Sequence, residues 1–145
     1  MTTLRSSFQQ QLDELQNKLL EMGRFVEDML TLAVRVLFER DVQLANEVIL
    51  RDDTADQMDI DIELMCMKLL ALQQPLGRDL RTIGTALKII TDLERIADYS
   101  VDIARIARRL SREAPFEPPP EVRQVAEIAM RMVKDALRSF VERDL

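Results

Sequence analysis

Residues 3–40 read TLRSSFQQQLDELQNKLLEMGRFVEDMLTLAVRVLFER, and their apolar positions decide the fold. Phe8, Leu12, Leu15, Leu19, Met22, Val26, Met29, Ala33 and Val36 recur in alternating steps of four and three, the seam of a long helix packed against other helices. Working outward, Asp41 is placed to cap a second helix that reaches about Gln73, and Pro75 with Gly77 marks the next reversal. A third helix follows from about Gly77 to Arg112. The stretch EAPFEPPP, Glu113 to Pro120, cannot continue it and reads as an extended linker. A fourth helical pattern starts near Glu121. Three long helices joined by tight turns must be antiparallel neighbours, so the expected fold is all-α. It is an antiparallel three-helix bundle over residues 1–112, about 45 to 55 Å long at ~1.5 Å per residue, followed by the linker and a helix over 121–145.

That last helix has a counterpart. The segment VAEIAMRMVKDALRSFVERDL, from Val125, lies on the first helix from Met22 at a constant offset. Met132 then falls on Met29, Ala136 on Ala33, and Val141-Glu-Arg-Asp144 on Phe38-Glu-Arg-Asp41. The fourth helix therefore reads as the start of a second, incomplete repeat of the same unit.

Composition agrees with long helices: the 145 residues include only three Gly, five Pro and no Trp. A net charge of −6 argues against nucleic-acid binding, which needs a basic face. The absence of histidine removes the usual general base, the Ser-His and Cys-His nucleophile systems and the Glu-x-x-His ligands of di-iron bundles. No apolar run is long enough to span a bilayer, and no basic segment followed by an apolar core opens the chain. The expected compartment is the cytoplasm, with membrane association peripheral at most. Cys66 has no disulfide partner and sits on an interior stripe, so it reads as packing. Most of the methionines, Met22, Met29, Met58, Met65, Met67, Met130 and Met132 among them, read as core filler.

The acids are less ordinary. On the third helix Glu94 falls inside the apolar arc of Ile83, Leu87, Ile90, Leu93, Ala97, Val101 and Ala104. Asp98 borders it one turn on, and Asp102 continues the row outward. On the second helix Asp52, Asp59 and Glu63 interrupt the stripe through Ala45, Val48, Ile49, Cys66 and Leu70, with Asp56 beside them. Matching heights across the turn puts Asp52 near Asp98 and Asp56 near Glu94. Such a cluster must bind cations, pair with Arg or Lys, or stay partly protonated. An all-oxygen site suits Mg, Ca, Mn or ferric iron, with Zn less natural. The alternative is a lattice of ion pairs with Arg51, Arg78, Arg81, Lys88 and Arg95. Arg95 points away from Glu94 and is a candidate partner-binding residue.

QQPLGRDLRTIGTALKIITDLERIADYSVDIA, Gln73 to Ala104, resembles the PhoU family of bacterial phosphate-signalling regulators, with Leu93-Glu-Arg-Ile-Ala-Asp98 close to the family's Leu-Glu-Arg-Ile-Gly-Asp. ILRDDTADQMDIDIE, Ile49 to Glu63, is similar to the family's second helix, and the likeness covers most of residues 10–112. Ala97 stands where the family has glycine. The resemblance implies two three-helix repeats, of which this chain would hold the first and the start of the second. It also implies a metal site built from Glu/Asp-x-x-x-Asp motifs, mapping onto Asp52 with Asp56 and Glu94 with Asp98, with Asp59, Glu63 and Asp102 as secondary ligands. The function it implies is that of a non-enzymatic, homo-oligomeric regulator. Such a protein restrains phosphate uptake by an ABC transporter and signals through a membrane sensor histidine kinase. A structural helical adaptor without metal, and a di-metal carboxylate enzyme, are the other readings of the same residues.

Overall fold

The computed structural model describes residues 2–113 and 116–142, with side chains from Ser6 onward. Its four helices are α1 (Thr2–Glu39), α2 (Val42–Gln73), α3 (Gly77–Leu110) and α4 (Glu121–Val141). The reversals are tight, and the sequence says why. Arg40 adopts a left-handed φ of 57° and ends α1, its N–H still donating to the Val36 carbonyl at 2.7 Å. Asp41 then caps α2, its carboxylate accepting from the Leu44 N–H at 3.1 Å, which satisfies one of the free donors of the first turn. At the other end Gln74 and Gly77 both take positive φ around Pro75, so only residues 74–76 separate α2 from α3. The expected ends shift slightly. α3 stops at Leu110 rather than Arg112, where the Ser111 N–H turns back to the Ala107 carbonyl.

α1, α2 and α3 each pack against the other two around one core. Leu15, Leu19, Met22, Val26 and Met29 of α1 meet Ala55, Ile62 and Cys66 of α2 and Ile83, Ala86 and Ala97 of α3, all fully or almost fully buried. At roughly 25 cal/mol per Å² of apolar surface, each Leu or Met so enclosed contributes on the order of 2 kcal/mol. The two most buried methionines, Met22 and Met29, are core, as the periodicity implies. Met67 and Met132 are exposed and are not. In both cases the reason is position: each sits on a helix side that no other element covers.

α4 runs antiparallel to α1 along its outer side. Down this interface Arg123 stacks over the Phe38 ring at 4.0 Å, Thr31 donates to the Met130 sulfur at 3.0 Å, Lys134 lies 3.8 Å from Glu27, and Leu137 enters the space left by Gly23. Two of these contacts are counterparts of each other, and the Gly23–Leu137 contact has its counterpart elsewhere along the interface. By the offset that places Met132 on Met29, Gly23 corresponds to Ala126 and Leu137 to Val34, and Val34 and Ala126 pack together in one cluster. Likewise Thr31 corresponds to Lys134 and Met130 to Glu27, so the Thr31–Met130 contact is mirrored by Glu27–Lys134. α1 and α4 thus meet through equivalent faces, the geometry of a two-fold interface within one chain.

The linker is docked rather than loose over its described part. Arg40 donates to the Phe116 carbonyl, and Pro118 is buried. Ala114 and Pro115 of the expected linker, and Arg143 to Leu145 of the expected repeat, lie outside the described residues.

Candidate metal centre

Asp52 and Asp56 are four residues apart on α2 and so project from one side of it, toward α3. Asp98 meets them from α3. The three carboxylates each offer an oxygen within 4.8 Å of the others, Asp52 and Asp56 half-buried and Asp98 exposed. Asp52 Oδ1 is buried and has no hydrogen-bond partner. An anionic acceptor removed from water and left unpaired is costly, and a cation is the group that relieves it. Burial pushes the Asp52 carboxyl above its ordinary range. The charges of Asp56, Asp98 and Asp53 add to that, while Arg105 opposes it.

Glu94 does not join this trio. It lies beside Asp59, close enough for each carboxyl to bear on the other's ionisation. Burial first, then the Asp59 and Asp98 charges, raise the Glu94 pKa; burial also raises that of Asp59, against the hydrogen bond from Glu94. The expected approach of Asp52 to Asp98 is present and Asp56 joins it, while Glu94 feels Asp59 more than the expected Asp56. Glu63 and Asp102 are exposed and outside the trio, although the Glu63 charge still acts on Asp59.

Ion pairing does not neutralise these acids. Among the described residues no Lys or Arg forms an ion pair with Asp52, Asp56, Asp59, Glu63, Glu94 or Asp98. Arg51 instead lies over the Phe25 ring at 5.7 Å, and Arg95 is exposed. The basic residue that does act on the site, Arg105, was outside the set expected from sequence; its place seven residues beyond Asp98, on the same face of α3, is the signal that identifies it. The donor set is three hard oxygens with a free, buried lone pair. It fits a hard cation and offers nothing to a soft one.

The PhoU domain family matches residues 19–107. A protein named phosphate-specific transport system accessory protein PhoU homolog from Clostridium acetobutylicum is 38% identical over 142 residues, covering 97% of this chain and 65% of the relative. One of the same name from Aquifex aeolicus is 37% identical over 134 residues, covering 92% and 61%. The crystal structure of PhoU from Pseudomonas aeruginosa superposes with a TM-score of 0.86 at 36% identity, over 93% of this chain and 65% of that one. That of the phosphate transport system regulatory protein PhoU from Streptococcus pneumoniae gives 0.82 at 29% identity, over 91% and 62%. The chain thus spans less than two thirds of the length of these relatives. Among the described residues no helix is long and apolar enough to cross a membrane.

Proposed function

The chain belongs to the PhoU family, and from that membership we propose that it acts in phosphate-specific transport as a negative regulator. It restrains phosphate uptake and the starvation response by binding other proteins, not by catalysis. Its partners are the phosphate ABC transporter and a membrane sensor histidine kinase, and it works from the cytoplasm as a homo-oligomer. The observation that carries the regulatory reading is identity above 30% across nearly the whole chain to proteins named as transport accessories.

Asp52, Asp56 and Asp98 hold a hard metal ion in this reading, with Asp59 and Glu94 as the adjoining acid pair. The orphaned Asp52 oxygen supports it. The ion would supply positive charge that ties α2 to α3, so its occupancy changes how rigid that face is. A metal-free adaptor is the second reading, supported by the raised pKa values of Asp59 and Glu94, by which protonation relieves part of the same charge.

α4 is the first helix of a second unit. Its positions Val125 and Met132 correspond to Met22 and Met29 of the α1 core seam, and Ile128 to Phe25 packed beside it, yet the three are 65%, 67% and 54% exposed. A seam with core periodicity and no cover is what an unaccompanied first helix presents.

The test combines two measurements. Metal content after chelator-free purification should be stoichiometric for the wild type and lost on combining Asp52→Asn with Asp98→Asn. Phosphate uptake in cells lacking their own regulator should fall when the chain is supplied. Absence of metal leaves the adaptor; unchanged uptake removes the regulatory reading.

A further inference from the structure

We propose that the outward side of α2 between Ile60 and Ala71 is where two copies of this chain associate, antiparallel, helix against helix. Ile60, Leu64, Met67 and Ala71 follow one another in steps of four, three and four, the spacing of a coiled-coil seam, over about 16 Å. They lie opposite the side of α2 that carries Ala55, Ile62, Cys66 and Leu69 into the core. All four are exposed, Ile60, Leu64 and Met67 by 48%, 53% and 53%. α2 is thus apolar on two opposite sides. α1 is not: its uncovered side carries Asp13, Asn17, Glu21, Arg24 and Asp28, and among the described residues it exposes no large apolar side chain. An apolar stripe with helix-packing periodicity and no cover within the chain is the mark of an interaction surface.

The charges along its edges select the occupant. Asp61 and Lys68, seven residues apart, run along one edge; both are exposed, and among the described residues neither makes an ion pair. In an antiparallel pair, the register that overlaps the whole stripe sets Ile60 level with Ala71 of the second copy and Leu64 level with its Met67. A two-fold axis keeps each edge on its own side, so Asp61 of each copy comes beside Lys68 of the other, forming two symmetric ion pairs. On the opposite edge Glu63 falls beside Leu70, and no like charges oppose each other. Gln57 and Gln74 are level in the same register and close the stripe with uncharged groups; Asp53, further along the row, lies beyond the end of the second copy's α2. Parallel pairing would instead set Asp56 beside Asp61, and an anionic lipid surface would meet the acids Asp61 and Glu63 on the two edges. Four seam positions are few, which puts the contact among weak, reversible interfaces. This deepens the homo-oligomeric part of the proposed function and is independent of phosphate regulation.

Sedimentation equilibrium of the full chain over a range of concentrations tests it. The wild type should pass from monomer to dimer as concentration rises. Leu64→Glu should weaken association by about tenfold or more, with the melting temperature of the monomer unchanged because Leu64 supports nothing inside the chain. Lys68→Glu should also weaken it, and adding Asp61→Lys should restore it, since reversing both charges re-forms the pairs only between copies. Met132→Glu, on the exposed seam of α4, should leave association as it was. A monomer at every concentration, association untouched by Leu64→Glu, no recovery on charge reversal, or loss of the dimer in Met132→Glu would overturn the α2 surface. Dimers that survive Leu64→Glu keep the homo-oligomer and sink this surface, and phosphate uptake in cells decides the regulatory reading separately.

Discussion

Gly23 of α1 lies directly beneath Leu137 of α4: a Cβ on Gly23 would collide with Leu137 Cδ1. This contact sets how closely α4 approaches the bundle. Gly23→Val forces α4 outward and should cost about 1 to 3 kcal/mol, the usual penalty of overpacking. Leu137→Ala should recover much of that loss when combined with it, because the smaller side chain vacates the disputed space. Thermal unfolding of the two single variants and the double variant gives the coupling. Additive losses would mean that the two residues do not meet.

The carboxylate site separates its ligands from their neighbours. Asp98→Asn removes one of the three converging oxygens and should lower metal affinity by about tenfold or more. Glu94→Gln, one step outside the trio, should change it much less. Titration calorimetry with Mn²⁺ on the two proteins decides it. A larger loss in Glu94→Gln would move the site toward the Asp59 pair.

Raised acids give the metal-free protein a pH signature. Asp52, Asp59 and Glu94 have folded pKa values above their unfolded ones, so the native state binds more protons in between. Stability from these groups is therefore greatest below about pH 4 and is lost as pH rises through the folded values. Replacing the pair with Asp59→Asn and Glu94→Gln should raise the melting temperature more at pH 8 than at about pH 5. Calorimetry in the presence of chelator measures it, and a benefit independent of pH would rule out charge repulsion as the cause.

Cys66 is fully buried, and burial, aided by the Glu63 charge, pushes its thiol up to about 11. A thiol so placed holds almost no thiolate at neutral pH. Ellman's reagent should leave it unmodified in the native protein and react with one equivalent on unfolding. Prompt reaction under native conditions would show that the α2 core opens locally.

The long elements were legible because each is announced by one-dimensional signals: the seam through Leu12, Leu19, Val26 and Ala33, the Asp41 cap, and Pro75 at the reversal. That the acids of α2 face those of α3 was also legible from periodicity. The finer pairing was not. Height matching put Asp56 with Glu94, whereas the Asp59 charge acts on Glu94 ahead of that of Asp56, a difference that no spacing within one helix encodes. That Arg51 lies over a ring instead of neutralising these acids was equally hidden, since it depends on Phe25 of another helix being within reach. Sequence spacing speaks for one helix at a time; register between helices belongs to the turns and the packing.

The matched contacts along α1 and α4 bear on the order in which such a protein is made. Most of the core that α1, α2 and α3 share lies before Leu110, and Leu137 and Phe140 of α4 complete it, so the three helices can meet on the ribosome before α4 has been made. α4 would then emerge beside a surface carrying matching contacts, and would settle on it with Leu137 and Phe140 turned inward and the seam through Val125, Ile128 and Met132 turned outward. In the longer relatives, the segment synthesised next would meet that seam already held in place, with the finished half acting as a template for the other.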